Sequence, residues 1–75
     1  MEVLADRLRD TLEEKQVSQS ELARRINKSH NVVNSYCSGS VKPPVDVLVL
    51  ICQELDVSAD YLLGLVNNRR NSWQK

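Results

Sequence analysis

The chain is predicted to be all-α, a compact five-helix bundle, on three observations. Apolar residues recur three and four positions apart along most of its length, no strong period-two alternation appears, and only two glycines and two prolines punctuate 75 residues. An apolar fraction of 41% closes a single modest core at this length, so one small domain of marginal stability is expected.

Leu4, Leu8 and Leu12 stripe a first helix that ends near Gln16. Ser18 then serves as N-cap, its hydroxyl placed to take an orphan amide, and Glu21 three residues on completes a capping box opening the second helix. Leu22, Ala23 and Ile26 are the buried side of that helix. Asn27 tolerates a left-handed turn best after glycine, so the chain can reverse there within three residues. Ser29 caps a third helix that buries Val33, Tyr36 and Cys37 and stops at Gly39. Lys42, Pro43 and Pro44 form an extended connection, with Pro44 in the first turn of the fourth helix, where its missing amide hydrogen has no partner to lose.

Leu48, Ile51, Cys52 and Leu55 give the fourth helix an i, i+3, i+4, i+7 stripe. Val49 is placed at the edge of the core, while Val47 and Leu50 form an exposed apolar pair, candidate contacts for a homodimer. Ser58 caps a short fifth helix with Asp60 in its first turn and Gly64 at its close; Val57, Leu62 and Leu63 complete the core. Residues 1–65 make up the domain. Residues 66–75 are a polar and basic tail, frayed or ordering on a partner, in which Trp73 is a second candidate interface anchor.

Formal charge cancels over the whole chain but not locally. Residues 1–23 carry −3, residues 24–42 carry +4, residues 43–64 carry −4 and residues 65–75 carry +3. A basic segment bracketed by acidic ones suits a polyanion that docks on one face only. Cys37 and Cys52 sit inside apolar helical patterns without metal-type spacing, and read as buried thiols of a reducing cytoplasm; a disulfide is the alternative if the two helices cross there. No apolar run approaches the roughly 20 residues needed to span a bilayer, so no membrane partner is expected. An enzyme is not expected either: the chain has one histidine, no glycine-rich phosphate loop and no metal-ligand cluster, and it suggests no cofactor and no pocket for a small-molecule ligand.

Gln19 to Tyr36 resembles the helix-turn-helix of the phage-repressor (Cro-like, xenobiotic-response-element) family. Leu22, Ala23, Ile26, Asn27, Val33 and Tyr36 occupy the places of its apolar residue, close-crossing alanine, second apolar residue, turn glycine and two recognition-helix apolar residues. The likeness continues through "GSVKP", similar to the family's G-x-x-x-P connection, and "LVLICQELDVSADYLLG", similar to its fourth and fifth helices. It covers residues 4 to 64, and implies a bundle of the lambda-repressor-like DNA-binding type.

That resemblance implies sequence-specific binding of a double-stranded DNA operator by a transcriptional regulator, a repressor acting as a homodimer. With Val33 and Tyr36 inward, the third helix would present His30, Asn31, Asn34 and Ser35, with Val32 beside them, to base edges in the major groove. Asn pairs bidentately with adenine, and Val32 can lie against a thymine methyl. Phosphates would meet Gln19, Lys28, Ser29, Ser38 and Lys42. Three to five such contacts imply a loss of affinity on the order of tenfold or more per subunit between 50 and 200 mM salt. The competing reading is ordinary solvation: His30 and Asn31 as polar residues at a helix start, Lys28 and Lys42 as surface charge, Val32 covering its neighbours, and Arg24 or Arg25 in a surface ion pair. A different class altogether is a protein-interaction or antitoxin-like module using the same fold.

Two departures from the family pattern carry expectations. Gln16 stands where a helix-ending glycine is usual, so the first helix runs on or ends under mild strain. Leu12 and Cys37 stand where many members have an arginine and a glutamate, and are expected to touch; losing both charges together avoids stranding one buried ion.

Overall fold

The structure, a computed structural model, describes residues 2–66. Its helices are α1 (Glu2–Lys15), α2 (Gln19–Arg25), α3 (His30–Ser38), α4 (Val45–Leu55) and α5 (Ala59–Leu62), with no strand among the described residues. α1 lies against α3, α4 and α5, while α2 packs on α3 and α4, so a single core runs between them. Leu8, Leu22, Val33, Ile51, Val57 and Leu62 are fully enclosed there, each burial contributing about 1.5–3 kcal/mol. Two polar side chains are buried with them and both are satisfied. Thr11 Oγ1 donates to the Arg7 carbonyl at 2.8 Å, and Ser58 Oγ accepts the Tyr61 amide at 3.0 Å.

Three of the four connections are built alike: a residue in the left-handed region, one linking residue, then a serine cap. Gln16 (φ 58°), Asn27 (φ 60°) and Asp56 (φ 53°) supply the reversal. Ser18, Ser29 and Ser58, all extended, accept the amide three residues on, from Glu21, Val32 and Tyr61 at 3.0, 3.2 and 3.0 Å. Each linking residue donates its amide back to the helix just ended: Val17 to Leu12 at 3.0 Å, Lys28 to Ala23 at 2.9 Å, and Val57 to Cys52 at 3.1 Å. Those bonds satisfy carbonyls that a helix end otherwise leaves open. Gln16 thus ends α1 under the strain its side chain implies, and Asn27 turns as expected.

Several expectations are corrected. Val47 is 3% exposed and belongs to the core, whereas Val49 is 48% exposed and stays outside it; only Leu50, at 40%, keeps its expected exposure. The stripe of Leu48, Ile51, Cys52 and Leu55 faces the core as expected, and Val47, one turn before Ile51, widens it. Leu63 is exposed, and Tyr61 takes the core place instead. The capping box is half formed, because Glu21 turns its carboxylate to Arg24 and to Arg25 (Nε to Oε2, 3.0 Å) rather than back to Ser18. Pro44 is the N-cap of α4, one residue ahead of the first turn. Trp73 and most of the tail lie outside the described residues.

Cys37 and Cys52 are free and buried, and burial pushes both thiols up, opposed at Cys37 by the positive charge of Arg9. Leu12 and Cys37 are enclosed in the same apolar cluster. At the other end of α1, the Arg7 guanidinium lies 4.4 Å from the Tyr61 ring centroid and donates to the Tyr61 carbonyl at 2.9 Å and to that of Val66. Gly64 (φ 83°) closes this corner, where a Cβ would meet Val3 Cγ2 at 3.2 Å.

Candidate nucleic-acid interface

α2 and α3 are the elements that face the basic segment outward. Leu22, Ala23 and Ile26 of α2 and Val33, Tyr36 and Cys37 of α3 hold the pair on the core. At about 100° per residue, those α3 positions leave Asn31, Ser35 and Ser38 on the opposite side, Asn34 and His30 on one flank and Val32 on the other. The exposures follow: His30, Asn31, Asn34 and Ser38 are exposed, while Val32 and Ser35 are half-buried.

Not all of these side chains are equally available. Val32 packs against the core cluster, which favours the covering role weighed for it. Ser35 Oγ donates to the Val32 carbonyl at 2.6 Å, turning its hydroxyl along the helix. Ser38 Oγ bonds to the Ser35 carbonyl at 3.1 Å and shares a 2.7 Å hydrogen bond with Ser40 Oγ, a partner that nothing in the local sequence pattern signals. His30, Asn31 and Asn34 remain as side chains with no intrachain hydrogen bond among the described residues, each carrying donors and acceptors into solvent. At the N-terminus of α3 the Ser29 hydroxyl takes the Val32 amide, leaving those of His30 and Asn31 pointing outward.

The basic residues separate in the same way. Arg24 and Arg25 are both matched to Glu21, whereas Lys28 and Lys42 are exposed and make no ion pair among the described residues. Lys28 is the linking residue of the α2–α3 connection. The same place in the other two connections holds Val17 and Val57, both turned to the core. A connector that elsewhere buries valine therefore presents a charge at this one turn. Gln19, half-buried, opens α2 beside its cap. Among the described residues no group of three or more His, Cys, Asp or Glu could hold a metal ion.

Two short helices fixed at an angle by a capped left-handed turn, the second with an outward polar face flanked by exposed lysines, define a helix-turn-helix module on a lambda-repressor-like bundle. The chain belongs to the Cro-like helix-turn-helix family, whose profile matches residues 8–62. It is similar to the Bacillus subtilis (strain 168) protein described as uncharacterized HTH-type transcriptional regulator YobD, with 36% identity over 62 residues. That match takes in 83% of this chain and 55% of the relative, so the chain spans about half the length of the protein it resembles. No solved structure matches at comparable significance.

Proposed function

We propose that the chain is a sequence-specific DNA-binding transcriptional regulator, a repressor that inserts α3 into the major groove and acts as a symmetric homodimer in the cytoplasm. The observation that carries this reading is that α3 exposes His30, Asn31 and Asn34 while the connections before and after it expose Lys28 and Lys42, neither of them ion-paired among the described residues. His30 and Asn31 occupy the first turn of α3, the end that such helices bring to base edges. Asn31 and Asn34 suit adenine, and Val32 and Ser35 border the contact. Lys28, Lys42, Ser29, Ser38 and Gln19 would meet phosphate around it.

Selection of binding sites from random duplex DNA tests the reading, since a symmetric dimer returns two inverted half-sites about one helical turn apart. Alanine at His30, Asn31 and Asn34 should each relax the base preference at one position, costing about 1–3 kcal/mol against the selected site. Neutralising Lys28 or Lys42 should weaken all duplexes alike and flatten the slope of log affinity against log salt by about one for each phosphate no longer neutralised. Absence of binding to every selected duplex at low salt would sink the proposal. Exposed Val45, Leu50 and Leu65 favour a second reading, a protein-interaction or antitoxin-like module; it predicts partner binding that is indifferent to substitution on α3.

A further inference from the structure

α3 lacks a basic residue in its last turn, although its C-terminal carbonyls carry the negative end of the helix dipole. The compensating cation comes from another element. Arg9, in the middle of α1, donates through Nη1 to the Cys37 carbonyl, 28 positions away, and is itself held by Asp6 one turn earlier on α1. Cys37 is the penultimate residue of α3, and its side chain is enclosed in the core. The charge of Arg9 thus sits where α3 ends, and α1 sits firmly in the bundle through Leu4, Leu8 and Leu12.

We propose that Arg9 is a positioning residue for DNA recognition: by tying the C-terminal end of α3 to α1 it sets the angle at which His30, Asn31 and Asn34 are presented. The Ser29 cap closes the first turn of α3 locally, whereas the Arg9 guanidinium ties the last turn to another helix, at the far end of a helix about 13 Å long. A guanidinium bound to a carbonyl is charge-assisted and directional, which is what distinguishes this tie from apolar packing alone. Arg9 touches no base in this arrangement. Its effect passes through the helix it holds.

The inference rests on the proposed DNA-binding reading, and two readouts separate its failure from a failure of that reading. The first uses no DNA: in Arg9→Gln, amide hydrogen exchange in the last turn of α3 should quicken about tenfold or more, while that of α4 is unchanged, and Arg9→Lys should recover part of the protection. Equal exchange in wild type and Arg9→Gln would overturn the anchor whether or not DNA is bound. The second compares duplexes from the site selection. Arg9→Gln should lose at least about threefold of its discrimination between the selected site and single-base variants, with the salt slope of binding unchanged. Full discrimination with a slope flatter by about 0.9 would instead mark Arg9 as a direct phosphate contact and overturn the positioning role.

Discussion

The two thiols give a clear residue-scale expectation. Burial disfavours the thiolate of Cys37 and Cys52, so the folded protein holds these protons more tightly than the unfolded chain. The resulting contribution to stability is fully present below the ordinary thiol value of 9.0 and is lost as pH rises past it, because the unfolded state ionises first. Denaturant unfolding at a series of pH values should therefore show stability falling above about pH 9, with a shallower fall in Cys37→Ala. An identical alkaline slope in the two proteins would remove the thiol from the account. At the same scale, Lys28 shows what a single position reveals by contrast. Valine occupies the equivalent link twice elsewhere, so the lysine is not needed to make the turn.

At the scale of elements, the repeated connection of left-handed residue, link and serine explains how five short helices reach a bundle with so few glycines. Ser29→Ala should cost about 1 kcal/mol through loss of the α3 cap, lowering the thermal midpoint by about 4–8 °C. Ser58→Ala should cost more than Ser29→Ala, because the Tyr61 amide it leaves open is buried, and thermal unfolding of the two variants side by side checks the order. The serines and Asn27 were legible in the sequence, since their chemistry is local and suits one place in a turn. Asp56 was not: a left-handed aspartate costs on the order of 1 kcal/mol, and it is the burial of Val57 behind it that offsets this. The stripe of Leu48, Ile51, Cys52 and Leu55 on α4 holds, but the place of Val47 was missed for a related reason. Val45, Val47, Val49 and Leu50 are interchangeable by hydropathy, and only packing against α1 and α2 chooses Val47.

Across the whole molecule, 34 × 24 × 23 Å in extent, the charge stripes fall on different elements: Lys28 and Lys42 lie in the connections before and after α3, and acidic Asp46 and Glu54 lie on α4. Under the proposed reading, a polyanion would be drawn to the lysines on either side of α3, and the exposed residues of α4 would be open to a second copy. If Val49 and Leu50 line the proposed dimer, Leu50→Glu should shift sedimentation toward monomer and abolish cooperative filling of paired half-sites, while single half-site binding persists. Unchanged sedimentation would place the dimer contact elsewhere. The exposed polar side of α3 could be read from its local pattern. Arg9 could not, because its partner is a backbone carbonyl 28 residues distant, and a carbonyl has no signature in a sequence. The same fact bears on how such a protein diversifies. Both ends of α3 are gripped through main-chain atoms, the Val32 amide and the Cys37 carbonyl, so the side chains at 30, 31 and 34 take no part in holding it. If those three sites read the operator as proposed, the preferred sequence can drift by substitution there while the scaffold that displays them keeps its shape, making new specificities accessible one mutation at a time.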